Sequence, residues 1–149
     1  MHLQHDMIYS ADFVVPALGL TAADVIYSAP KLFFAYGLGN SLFLPFRIGA
    51  TVVLEPDRPL PLTVFSVLHR YRPTVFFGVP TLLAAMLQVA DADSRYDLTS
   101  LRFSGSAGET LPPAIYHEWR KRFGHEVVEI FGTTEILHTC LANPFGASR

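Results

Sequence analysis

Gly132, Thr133, Thr134, Glu135 and His138 put two hydroxyls, a carboxylate and an imidazole within seven residues. They follow Val127-Val128-Glu129-Ile130-Phe131, whose apolar character is that of a buried strand. Gly132 allows a tight departure from that strand. Thr133 and Thr134 offer hydroxyl donors suited to phosphate oxygens. Glu135 offers a hard oxygen ligand of the kind Mg²⁺ takes, one or two carboxylates together with substrate phosphates. Phosphate-plus-magnesium chemistry needs these residue types close together, although a Thr-rich turn before a glutamate is common by itself.

Other constellations carry less. Ser104-Gly105-Ser106-Ala107-Gly108 approaches the nucleophile elbow Gly-x-Ser-x-Gly, but its first position is Ser104. Its acid and base would have to be Glu129 or Glu135 with His138, crowded into one strand-turn segment. A loop whose Gly105 and Gly108 let backbone approach a flat ligand is the better reading. A tight turn before a helix capped near Thr110 stands beside it. His2 and His5 form an HxxH pair without a third ligand. His69, His117 and His125 fall on helix faces or turns, and Cys140 reads as a core thiol with no base beside it.

The elements that must position these residues alternate along the chain. Runs over 25–29, 51–54, 74–79, 101–104 and 127–131 read as strands, and 63–71, 80–87 and 111–123 as helices. Ile115, Trp119 and Phe123 recur every fourth residue and form a core stripe. The pattern predicts an α/β layer structure with a largely parallel sheet. In such sheets ligands bind beyond the carboxyl ends of the strands. Three strands end in "FFGVPT", "FSGSAGETLP" and "IFGTTE", and as parallel neighbours their ends would converge on one crevice.

Composition narrows the classes further. The 149 residues suit one domain, with half of them hydrophobic and 16% charged. That apolar excess fits a sheet buried on both faces, or surfaces that face a partner and favour self-association. Net charge is -2, and the one dense basic run, Arg120-Lys121-Arg122, reads as a solvated helix face, which argues against nucleic acid. The apolar run 32–46 is too short and too broken to span a bilayer, so no membrane partner is expected. A single cysteine and an amino terminus without signal-peptide character fit a soluble cytoplasmic protein.

Taken together, "SAPKLFFAYGLGN", "SAGETLP" and "FGTTEILH" resemble the acyl- and aryl-CoA ligases of the adenylate-forming superfamily, most closely the benzoate-CoA ligases. The resemblance implies activation of an aromatic carboxylate by ATP to an acyl-adenylate, then transfer to coenzyme A. It implies that Thr134 bonds the α-phosphate and that Glu135 holds Mg²⁺. Gly108, Glu109, Thr110, Phe131 and Gly132 would line the nucleotide. Ala35, Tyr36, Gly132 and His138 would form the aryl pocket, with His138 meeting the carboxylate. Residues 1–149 would be a partial adenylation domain. The superfamily's Ser/Thr/Gly-rich phosphate loop and its C-terminal lid domain are not among these residues, and the chain alone is expected not to turn over. The alternatives are a fatty-acyl-CoA ligase, an amino-acid-adenylating domain, or a noncatalytic nucleotide-binding module.

Overall fold

The computed structural model describes residues 2–143. Helix α1 (Asp6–Ala17) leads to β1 (Val25–Ser28), then α2 (Ala35–Leu38), a π-helical turn (Gly39–Phe43) and α3 (Leu44–Ile48) follow without a break. Next come β2 (Thr51–Val53), α4 (Pro61–Tyr71), β3 (Val75–Gly78), α5 (Pro80–Leu87) and the single turn α6 (Ala92–Arg95). The chain continues through β4 (Phe103–Ser106), α7 (Pro113–Phe123), β5 (Glu126–Gly132), a 3₁₀ turn (Thr134–Ile136) and β6 (Thr139–Ala142). The strands lie in the order β2-β1-β3-β4-β5-β6. The first five are parallel and β6 runs antiparallel to β5. The expected α/β class with a largely parallel sheet is therefore what the chain forms.

Helix boundaries follow local chemistry. α4, α5 and α7 each carry proline in the first turn, where its missing N–H costs no helical bond. α7 stops at Gly124, which takes the left-handed conformation with φ 79°. No side chain caps its start, so the cap expected near Thr110 is not formed and Pro112 occupies that position. β4 begins at Phe103 rather than at Leu101, because the Leu101 N–H closes a turn onto the Leu98 carbonyl.

Alternation along each strand sends side chains to two cores. One face packs Tyr27, Phe76 and Val127 against Phe65 and Leu68 of α4, Leu83 and Met86 of α5 and Trp119 of α7. The other packs Ile26, Phe77, Phe103 and Ile130 against Ala11 and Val14 of α1 and Leu44 of α3. Both faces are covered, as a parallel sheet requires. The amino ends of β1, β3 and β4 are tied by buried Asp24. It accepts from the Thr21 N–H, the Thr74 hydroxyl and the Arg102 guanidinium. Burial pushes its carboxyl up, but bonds from Thr74, Arg102 and Thr21 outweigh that and leave it lowered. Arg122, from the basic run, meets Asp93 and the Leu87 and Val89 carbonyls at the end of α5 and just past it, while Arg120 and Lys121 are solvated as expected.

A second polar knot lies inside the first core. His125 Nε2 accepts from Trp119 Nε1–H and from the Ser104 hydroxyl, each at 2.9 Å. Its Nδ1–H then donates to the Phe123 carbonyl at 3.3 Å. His125 lies in the bend between α7 and β5, a turn residue as expected, and its side chain is a buried structural group. Burial lowers its pKa to about 4, with the Phe123 carbonyl opposing. The unfolded chain takes up that proton near pH 6.5 while the folded chain refuses it down to about pH 4, so stability falls across that window as pH drops.

Three outcomes are expected. Denaturant unfolding at pH 5 should show on the order of 2 kcal/mol less stability from His125 than at pH 7. Replacing His125 by glutamine should remove that share of the slope between pH 6.5 and 4. Exposed Phe33, Phe46 and Tyr9, 80%, 72% and 67% accessible, should drive self-association of the chain at high concentration, measurable by light scattering.

Candidate active site

The adjacent, parallel strands β3, β4 and β5 bring "FFGVPT", "FSGSAGETLP" and "IFGTTE" to one edge of the sheet. Beyond their carboxyl ends lie two neighbouring hollows. A cavity of ≈170 Å³ is lined by Ala35, Tyr36, Gly132 and His138, the four residues expected around an aryl group. Phe34, Ala107, Ile130, Thr133, Thr134 and Thr139 complete it. An open groove of ≈560 Å³ is lined by Gly108, Glu109, Thr110, Phe131 and Gly132, the five expected along the nucleotide. Gly108, Ile130 and Gly132 border both, so the two hollows adjoin at those residues. Gly108 adopts φ 88°, a backbone shape that other residues rarely take.

One close approach shapes the cavity. After Gly132 the chain makes its 3₁₀ turn and returns as β6, with Gly132 paired to Thr139 across an irregular register. A Cβ on Gly132 would overlap the His138 carbonyl oxygen. A Cβ on Gly39 would overlap the His138 ring. Two glycines from distant parts of the chain thus admit His138, one beside its backbone and one beside its imidazole.

His138 is buried, with its ring 5.5 Å from that of Tyr36 and 6.0 Å from that of Phe43. Nε2 lies 3.0 Å from Asn40 Oδ1, and Nδ1 lies 2.7 Å from the Thr139 hydroxyl. Burial lowers its pKa to about 4, partly opposed by the Tyr36 backbone. The imidazole is therefore neutral near pH 7. It can meet an incoming carboxylate only by exchanging one of these bonds. Burial also raises the Tyr36 hydroxyl pKa, so that group stays protonated.

Thr134 stands on the cavity rim, exposed to solvent. Glu135 follows it in the 3₁₀ turn, exposed and outside the lining of both hollows. Its own backbone N–H and the Thr133 hydroxyl lower its pKa and keep it ionised. Among the described residues no three His, Cys, Asp or Glu side chains gather as a metal cage. A lone ionised carboxylate beside two threonine hydroxyls nevertheless fits Mg²⁺, which arrives largely held by substrate phosphates.

Other expectations resolve on geometry. The Ser106 hydroxyl is buried with no hydrogen-bond partner, and His138 bonds Asn40 and Thr139 instead, so no nucleophilic triad forms. His2 and His5 both face Asp6 at 3.3 Å. Cys140 is half-buried on edge strand β6 with its thiol toward the Phe131 carbonyl, not a core thiol, because Thr139 takes the inward position and the next residue along the strand turns the other way. Sequence reasoning passed over Gly39, Asn40, Thr139 and Leu141. The signal for the first two was two glycines and an asparagine inside a helical run, "YGLGN", where nothing but a close approach favours them. Leu141 pairs with Phe131, and both stand exposed as an apolar wall of the groove.

Comparison with known proteins gives a consistent picture. The family described as AMP-binding enzyme matches residues 1–148. A benzoate-CoA ligase of Thauera aromatica is 46% identical over 147 residues, which are 98% of this chain and 28% of that protein. The crystal structure of a benzoate CoA ligase from Burkholderia xenovorans LB400 superposes with TM-score 0.92 at 41% identity, covering 99% of this chain and 30% of the other. An anthranilate CoA ligase in complex with anthranoyl-AMP gives TM-score 0.93 at 34% identity, covering 99% and 29%. The chain thus spans less than a third of the length of each of these proteins.

Replacing Gly132 by alanine is expected to displace the return of β6 and to cost about 3 kcal/mol or more. Gly39→Ala should leave the sheet intact and move the His138 ring, seen as changed imidazole chemical shifts. Gly19→Ala, whose Cβ would meet nothing within 4 Å, should carry only the smaller strain of its φ of 59°.

Proposed function

The chain belongs to the AMP-binding enzyme family, and we propose that its protein is an ATP-dependent aryl-CoA ligase acting on a benzoate-like acid. The observation that carries this reading is the ≈170 Å³ cavity between Ala35, Tyr36, Gly132 and His138, opening beside a nucleotide-sized groove. A cavity of about 150 Å³ admits benzene, so this one suits a single six-membered ring and leaves a long acyl chain little room. The anthranilate ligase bound to anthranoyl-AMP and the two benzoate ligases support the same substrate class.

In this reading the ring lies against Tyr36 and His138, with its carboxylate toward Thr134. One carboxylate oxygen attacks the α-phosphorus of ATP, the α–β anhydride bond breaks, and pyrophosphate leaves. The thiol sulfur of coenzyme A then attacks the acyl carbon, AMP departs with the bonding pair, and the thiol proton passes to solvent. Thr134 donates to an α-phosphate oxygen as charge builds there, an electrostatic role needing no proton transfer. Glu135 holds Mg²⁺, which when bound supplies charge neutralisation at the phosphates. Gly108, Glu109 and Thr110 border one side of the adenine, while Phe131 and Leu141 offer it an apolar wall. A neutral His138 places no positive charge beside the ring, so the pocket selects by shape rather than by ion pairing.

Pyrophosphate exchange into ATP, measured on the protein with benzoate and with medium-chain fatty acids, tests the reading. Benzoate should support exchange and the fatty acids should not; the reverse pattern overturns it. Glu135→Gln should lower kcat by about 100-fold, as losing a charge-stabilising group at the reacting phosphate does. Ala35→Leu should raise the KM for benzoate by about tenfold or more through lost space, with the KM for ATP little changed.

A further inference from the structure

We propose that Asn40 is a positioning residue of this pocket, fixing the His138 ring in its Nε2–H form and in one plane against Tyr36. The inference rests on the aryl-acid reading and adds to it a residue outside the cavity lining. Asn40 is completely buried within the π-helical turn Gly39–Phe43. A π-turn adds a residue to the helical repeat and re-aims the side chains around it. Here it carries Asn40 to the ring nitrogen of His138, next to the glycine that makes room for that ring.

The donor assignment follows from the atoms. Asn40 Oδ1 can only accept, so Nε2 carries the hydrogen. In the neutral ring Nδ1 must then accept, and Thr139 Oγ1 is the donor at 2.7 Å. Asn40 Nδ2 and the Tyr36 hydroxyl are both buried without a hydrogen bond of good geometry, and the Asn40 side chain opposes the rise that burial gives the Tyr36 hydroxyl pKa. The well-formed bond of the amide is the one from its Oδ1 to His138. The Tyr36 backbone carbonyl also accepts from the His138 ring, and Phe43 bounds the ring edge-on, so Asn40 completes a frame rather than acting alone.

Selective ¹⁵N-histidine labelling of the chain, read by long-range proton–nitrogen correlation, tests the proposal. His125 is the internal control, because its bonds require the opposite tautomer, Nδ1–H. In the unsubstituted chain His138 should show a protonated Nε2. In Asn40→Leu it should shift to a mixture of tautomers while the His125 signals stay in place, and the benzoate concentration that half-saturates the His138 shift should rise at least tenfold. In Asn40→Asp, which keeps an acceptor, Nε2 should stay protonated. The His138 titration midpoint should rise above its original position near 4, Tyr36 being the other titratable side chain against the ring. An unchanged tautomer in Asn40→Leu, or an unchanged benzoate midpoint, overturns the proposal. If Asn40→Leu does not fold, a mixed tautomer in Asn40→Asp overturns it equally. Benzoate that leaves His138 unmoved in the unsubstituted chain, with the tautomer shift intact in the variant, counts against the aryl-acid reading and upholds the positioning of His138.

Discussion

The backbone of Gly132 lies against the carbonyl of His138, and the arrangement of the site depends on that contact. The five parallel strands bring their carboxyl ends to one edge, but a parallel sheet by itself leaves that edge open. The chain closes it by turning within six residues and returning antiparallel as β6. Any side chain at position 132 would hold the two segments apart. With glycine there, Thr133 and Thr134 are lifted to the rim, His138 is driven inward, and Leu141 comes level with Phe131. The hydroxyls on the rim and the pocket wall are therefore one construction, and neither can shift without the other.

The rest of the fold holds the two sides of this construction at a fixed distance. At the far end of the sheet, Asp24 gathers Thr21, Thr74 and Arg102, so that β1, β3 and β4 start in register. At the near end, Lys31 donates to the carbonyls of Glu55 and Asp57 at 2.5 and 2.6 Å, anchoring the loop that leads into Ala35 and Tyr36. The same helical run packs Leu44 into the second core. Tyr36 is therefore tied to the sheet through its helix, while His138 is tied to it through β5 and β6.

Much of this was legible in the residues. The strands carried continuous β-branched and aromatic runs, and the prolines of α4, α5 and α7 marked helix starts, because those signals are local. The positions around the cavity were reached through "KLFFAYGLGN", "SAGETLP" and "FGTTEILH", and the hollows gather them as two groups. What stayed hidden depends on contacts distant in sequence. α1 buries little more than Ala11 and Val14 and leaves Tyr9 and Phe13 exposed, so its apolar residues mark no clear face. The helical run 35–48 contains two glycines and a proline, which locally argue against a helix, and a π-turn that shifts the periodicity midway. β6 is short and half-polar, and it exists because β5 offers it an edge. The bond from Asn40 to His138 spans 98 positions, and no spacing rule anticipates it.

The two cores also divide what can be observed from what acts. Trp119 is the only tryptophan, and it lies with His125 on the face of the sheet opposite the His138 cavity. Its indole donates to a neutral imidazole whose protonation takes that acceptor away. Intrinsic fluorescence of this chain is consequently a gauge of folding and of acid, and it is shielded by the full thickness of the sheet from whatever enters the pocket. A ligand could fill the cavity without a change in emission, and the optically quiet face is the one where the chemistry would take place.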